Sequence, residues 1–283
     1  MPLALSAPRP RPRWRTTGSL LVGGSLVALI VVAALVSLVW TPYDPTLVRP
    51  DDALAGSSSH HLLGADQYGT DVLSQLMAGA RTTLLVGVVA IGIAALVGVP
   101  LGAIAAQRRG AIDELAMRAS DIVYAFPAVL VAIILAAAYG GSTATGMAAI
   151  GIAYIPVFAR LTRASALEVL RSDFVLAARA YGRRPLAILW RHVLPNIASI
   201  LIVQATVLFA VAILAEAALS YLGLGAPPPT SSWGRMLNDS QTYIGSDIEL
   251  ALWPGLAIAL AVLGFSLLGD GLRDVLDPRL RRG

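Results

Sequence analysis

The sequence predicts an all-α polytopic membrane protein with six transmembrane helices, and three observations carry that prediction. Of 283 residues, 57% are hydrophobic and 13% charged, against roughly half and a quarter in an ordinary soluble domain. Mean hydropathy is +0.73. Apolar runs approaching or reaching the ~20 residues needed to cross a hydrocarbon core recur along the chain, and arginine is distributed very unevenly between the segments that separate them.

The first run spans Ser19–Trp40, behind a basic tail (residues 1–18) with Arg9, Arg11, Arg13 and Arg15. It is longer than a signal-peptide core and is followed by Trp40, Pro42 and Tyr43 rather than small residues, so it reads as a retained anchor. The polar segment 41–81 comes next. Within it Val72, Leu73, Leu76 and Met77 sit at helical spacing, which predicts a short surface helix over 66–80. The second run covers Thr82–Ala106, where Gly98 and Gly102 suit close helix packing. The third covers Ile122–Tyr139, with Pro127 near its start, and the fourth Thr145–Phe158. The fifth covers Ile197–Leu219 and the sixth Leu250–Leu268, ahead of a short tail over 271–283.

Arginine sets the orientation, because basic residues accumulate on the cytoplasmic side. With the N-terminus inside, only Arg49, Arg81 and Arg235 of the 21 arginines fall outside. Both termini are therefore expected in the cytoplasm. The pI near 9.8 then reflects topology, and no nucleic-acid partner is expected. The chain has no cysteine, which excludes a disulfide framework and a cysteine nucleophile. All its basic residues other than histidine are arginine. A phosphate-binding loop of the G-x-x-x-x-G-K-[ST] kind needs a lysine, so none exists here. The chain is expected to be no enzyme, with no catalytic residues, no metal site and no cofactor of its own.

The inner segment between the fourth and fifth runs is the most unusual. Arg160–Tyr181 has neither proline nor glycine and predicts one helix. Gly182 stops it, Pro185 opens a second, and Pro195 ends the stretch. Ala177, Ala178 and Ala180 give a small-residue surface that another protein can approach closely. A helical elbow projecting from a membrane bundle suits docking to a soluble partner.

Ala177-Ala178, Gly182 and His192-Val193-Leu194-Pro195 stand at the spacing of the "EAA" loop, which this segment resembles. The longer stretches Asp173–Gly182 and Trp190–Asn196 are similar to the dipeptide/oligopeptide/nickel branch of ABC-importer permeases. So are Leu63–Ser74 with Gly79–Gly87, Glu216–Gly225 with Pro228–Gly234, and Pro254–Arg279, in order. The chain is identified by resemblance as a C-type (DppC/OppC-like) subunit. The resemblance implies the type I ABC importer permease fold, with a core over 82–270 and the coupling loop at 160–196. It implies a bacterial inner (plasma) membrane location and a homologous B-type permease as partner. Two cytoplasmic ATPases would bind ATP and Mg, and an extracytoplasmic binding protein would deliver substrate. Di- or oligopeptides are the expected cargo, nickel or another small solute the alternative. Asp173, Ala177, Ala178, Gly182 and Arg183 would form the ATPase-coupling elbow. Leu176 departs from the pattern's glutamate, and Arg183-Arg184 from its small residues.

Several residues have two readings. Glu216 lies in the fifth run and either faces a cavity or satisfies a neighbouring helix. Trp233 and Met236 fit an outer lid or an interfacial anchor. Asp121 and Asp270 sit at inner ends of spans and are expected to be interfacial or paired with nearby arginines rather than proton carriers. His60-His61 could capture a metal or do nothing special. An ion-gradient-driven secondary transporter remains the reading of another class, although it would favour charges near the middle of spans, where none is found.

Overall fold

The computed structural model describes residues 13–225 and 227–276; most of the basic tail and the end of the chain lie outside these. The described residues are helical, with one isolated bridge, Ala65–Asp71, and no strand. Among the described residues five helices are long and apolar enough to cross a membrane, and a bent pair makes a sixth if it is counted as one span.

Helix α1 (Arg13–Val36) lies along the last helix of the bundle. Gly23 allows this approach: a Cβ there would lie 2.4 Å from the backbone N of Leu268. After α1 the segment to residue 71 has little regular structure, but side chains tie it down. Asp71 caps the N-terminus of α2 by accepting from Ser74 N (2.8 Å) and Ser74 Oγ (2.7 Å). Tyr43 N donates to the same Ser74 Oγ, and His61 Nδ1 lies 3.0 Å from Asp71 Oδ1. His61 is buried in this knot while His60 is exposed, so the two histidines diverge.

Helix α2 (Val72–Arg108) has 37 residues, hence about 55 Å of length. It begins at Val72, not Thr82. Residues 72–80 of the expected separate surface helix are α2's own first turns, because no proline separates Val72 from Thr82. Helix α3 (Ala111–Ala125) is amphipathic and meets α4 (Ala128–Tyr139) at 83°. The third expected run is therefore not one straight helix. Pro127 has no N–H to donate and disfavours helical geometry at Phe126, which is extended at φ −91°, ψ 127°. At 12 residues, α4 rises about 18 Å, short of the ~30 Å hydrocarbon core.

Helix α5 (Thr143–Val169) opens on a capping box between Ser142 and Thr145 and runs past the expected end at Phe158. It shares its largest interface with α2. The two backbones meet at Gly98 and Gly102, as the sequence suggests. Arg163 holds α3 against α5 through a two-pronged bond to Asp113 (2.5 and 2.6 Å). Arg160 Nη2 donates to Asp121 (2.7 Å), the pairing expected for that aspartate, while Asp270 is exposed.

Two short helices follow, α6 (Asp173–Ala180) and α7 (Pro185–Ile188). Next come α8 (Leu194–Tyr221), α9 (Trp233–Ser240) and α10 (Glu249–Leu276). The expected single helix over Arg160–Tyr181 is broken. Ser172 is extended at φ −71°, ψ 149°, and its Oγ donates back to Val169 O (2.6 Å). Serine in this role competes with the helical ladder and starts a new helix instead.

Candidate functional site: an elbow at the arginine-rich end

The elbow is built from a tight turn between α6 and α7. Gly182 has φ +73°. Its N–H donates to Arg179 O (2.9 Å), and Arg183 N–H donates to Ala178 O (3.2 Å). This pair of bonds is a Schellman closure, which requires a left-handed residue and therefore favours glycine. Pro185 then opens α7 with its φ already set. The chain passes into α8 through one wide turn, Leu189–Val193, where Leu194 N–H bonds five residues back to Leu189 O. Pro195 has no N–H to offer Arg191 O, so the regular ladder cannot form there.

One face of the elbow is anchored. Val175, Ile188, Leu189 and Val193 are buried, with Leu170, Ala103, Ala106 and Ile197, against the ends of α2, α5 and α8. Full burial of such a side chain contributes about 1.5–3 kcal/mol, so the elbow is held rigidly. The rest of the elbow is exposed and mixes large apolar side chains with Arg179, Arg183, Arg184 and Arg191. Tyr181 is 89% exposed and Trp190 69%, and Phe174, Leu176 and Leu186 are exposed beside them. Asp173 lies in the first turn of α6, where the helix dipole favours a carboxylate. Ala177 and Arg183 are exposed and Ala178 partly so. The structure thus brings all five sequence-selected elbow residues onto one projection. The sequence reading missed the large apolar side chains around them. Their signal was that Leu176, Tyr181, Leu186 and Trp190 have no helical partner face left to fill.

The other three selected residues lie at the opposite end of the bundle. Glu216 is buried in α8 and accepts from Ser220 Oγ (2.7 Å) and Thr83 Oγ1 (3.4 Å). It ties α8 to α2 and also lines a small recess of about 10 Å³ with Ser142 and Gly225. Trp233 is 3% exposed. Its Nε1 donates to Leu76 O (2.9 Å), and a Cβ on Gly79 would lie 2.7 Å from its ring. Met236 is buried beside it. Within this chain Trp233 and Met236 belong to the interior, so neither stands as an interfacial anchor. Trp233→Ala should lower stability by about 3–5 kcal/mol. Trp233→Phe should lose about 0.5–1.5 kcal/mol, the net value of one hydrogen bond, because Leu76 O keeps its helical partner in α2. Thermal unfolding of the purified chain in detergent checks both.

Five or six candidate spans around a 37-residue helix are the architecture of a polytopic membrane protein. The family model for the inner membrane component of binding-protein-dependent transport systems matches residues 98–282, and the chain belongs to that family. It is 40% identical over 261 residues to the dipeptide transport system permease protein DppC of Alkalihalophilus pseudofirmus, covering 92% of this chain and 86% of that one. It is 41% identical over 271 residues to the di/tripeptide transport system permease protein DppC of Pseudomonas aeruginosa (92% and 88% covered). With the glutathione transport system permease protein GsiD of Escherichia coli it shares 39% identity over 270 residues (95% and 89%). Among solved structures, an inward-facing form of the MetNI methionine ABC transporter matches with a TM-score of 0.61 at 18% identity. It covers 72% of this chain and 97% of that one, a likeness of fold. The chain is a multi-pass inner membrane permease subunit of an ABC importer.

Proposed function

We propose that this chain is one half of the translocation pathway of an ATP-driven importer of short peptides, and that the α6–α7 elbow is its contact with a cytoplasmic ATPase. The observation that carries the reading is the elbow itself: Tyr181, Leu186 and Trp190 are exposed on it among arginines, while its support is buried. Exposed apolar patches on a rigid base mark protein contact sites. On this reading the arginine-rich end and both termini are cytoplasmic. The chain has no lysine for a phosphate loop of the G-x-x-x-x-G-K-[ST] kind; on this reading ATP and Mg are held by two partner ATPases. A second, homologous permease completes the pathway, and a binding protein delivers cargo from outside. ATPase closure draws the two elbows together and opens the bundle outward, and hydrolysis returns it inward. The peptide cargo follows from relatives that transport dipeptides, tripeptides and glutathione by name.

Reconstitution tests this. The chain is placed in liposomes with its partner permease and both ATPases, with loaded binding protein outside. Labelled dipeptide should accumulate only when ATP is enclosed. Accumulation driven by a proton or sodium gradient in liposomes that hold this chain alone would overturn the reading.

A further inference from the structure

The arginines of the inner end fall into two groups. On α3 and α5 each is held by a carboxylate of this chain: Arg118 by Glu114 (2.6 Å), Arg160 by Asp121 (2.7 Å) and Arg163 by Asp113 (2.6 Å). On the elbow Arg179, Arg183, Arg184 and Arg191 are exposed, and among the described residues none of them is ion-paired. The elbow's own carboxylate is Asp173 alone.

Local physics accounts for part of this charge. Asp173 and Arg179 occupy the first and last turns of α6, where the helix dipole favours each. Arg183 and Arg184 have no such support, since they stand in the turn ahead of α7. Their backbone is nevertheless fixed. Arg183 N–H closes onto Ala178 O (3.2 Å), and Arg184 is extended at φ −62°, ψ 142° before Pro185, the geometry a following proline favours. Two adjacent guanidiniums are therefore presented from a rigid turn, beside the exposed Tyr181 and on the same elbow as the exposed Trp190. Tyrosine, tryptophan and arginine are the types that dominate binding energy at protein interfaces, and a fixed backbone lowers the ordering cost of binding.

Anionic headgroups also attract arginine, but the elbow sits too deep in the aqueous phase. The first charge on α5 is Arg160, and the elbow's anchored face packs at the level of Ala166 and Leu170. At 1.5 Å per residue that is about 9–15 Å farther from the membrane. A headgroup layer is roughly 5–8 Å thick, and the Debye length at physiological salt is about 8 Å.

We propose that the ATPase surface that receives this elbow is acidic, and that Arg183 and Arg184 are the residues that select it. The proposal rests on the coupling reading above and adds the partner's chemistry: aspartate or glutamate side chains facing the Gly182 turn. Complementary charge would set encounter and register, while Tyr181, Leu186 and Trp190 supply the apolar contact.

The test titrates the purified ATPase of the same system onto the permease pair in nanodiscs, at low and high salt. Discs of phosphatidylcholine alone are compared with discs that also contain phosphatidylglycerol. Arg183→Gln combined with Arg184→Gln should lower affinity by about tenfold and flatten its salt dependence, and the double change to glutamate should lower it by about a hundredfold. Arg273→Gln removes an exposed charge from the inner end of α10 and should match the wild type. If the ATPase binds the wild type and both double variants alike, while Gly182→Pro releases it, the acidic partner is wrong and the coupling reading stands. If the ATPase binds the wild type at no salt, or binds Gly182→Pro equally well, the coupling reading falls and this proposal with it. A loss confined to discs with phosphatidylglycerol assigns the two arginines to lipid headgroups and overturns the proposal, as does an equal loss in Arg273→Gln.

Discussion

Replacing Gly182 by proline should separate this chain from its ATPase while leaving the bundle in the membrane. Gly182 sits at φ +73° and donates to Arg179 O. Proline is locked near −65°, has no N–H, and disfavours the near-helical geometry of the residue before it. Tyr181, at φ −77°, ψ 9°, has that geometry. The Schellman closure cannot form, the last turn of α6 unwinds, and Tyr181 loses its place relative to Leu186 and Trp190. A cost of about 3 kcal/mol or more falls on the elbow, which corresponds to an ATPase affinity lower by about a hundredfold. Gly182→Ala separates conformation from space. No atom lies within 4 Å of the site of its Cβ, so only the left-handed backbone is penalised, at about 1–2 kcal/mol. Its affinity should fall between the wild type and the proline variant. Titrating purified ATPase onto immobilised permease reads all three. Retention of the partner permease by the proline variant confirms that the bundle is intact.

The second large effect is expected at the crossing of α2 and α5. A Cβ on Gly102 would lie 2.2 Å from Ala159 O and 2.9 Å from Thr162 Cβ, and one on Gly98 would lie 2.6 Å from Ile155 O. The nearest obstacles are backbone, which cannot rotate away, so the helices must separate along their largest interface. Gly102→Val should cost at or above the upper end of the roughly 1–3 kcal/mol typical of overpacking. Most of the chain should then be lost as aggregate on extraction. Gly92→Ala and Gly146→Ala are the controls. Nothing lies within 4 Å of either position, so both should match the wild type or gain a little from the better helix propensity of alanine. Monodisperse yield and thermal midpoint in one detergent check the set.

What the sequence made legible follows from physics that acts locally. The cores of α1, α2, α5, α8 and α10 are read from apolar length alone, and Gly98 and Gly102 from the need for close approach in lipid. Gly182 and Pro185 announce the elbow because each permits only a narrow backbone conformation. Other features depend on tertiary context. Ser172 breaks the helix between α5 and α6 by hydrogen bonding to Val169 O, an option any serine has and few take. Pro127 was visible, but its 83° bend depends on where α3 is clamped through Asp113 and Arg163. Trp233 is amphipathic enough for either a rim or a core. Its place is decided by Gly79, which lies 154 positions away in the chain (233 − 79) and makes room for the ring.

The central claim is that the α6–α7 elbow is where this chain meets an ATPase. The chain has no cysteine, so Ala177→Cys creates a single exposed thiol on the elbow, and Ser59→Cys creates one in the segment before α2. Each is labelled with a benzophenone maleimide in the assembled transporter and irradiated. The account predicts an adduct with the ATPase from position 177 and none from position 59. An ATPase adduct from position 59, or none from position 177 in a complex that still hydrolyses ATP, would contradict it.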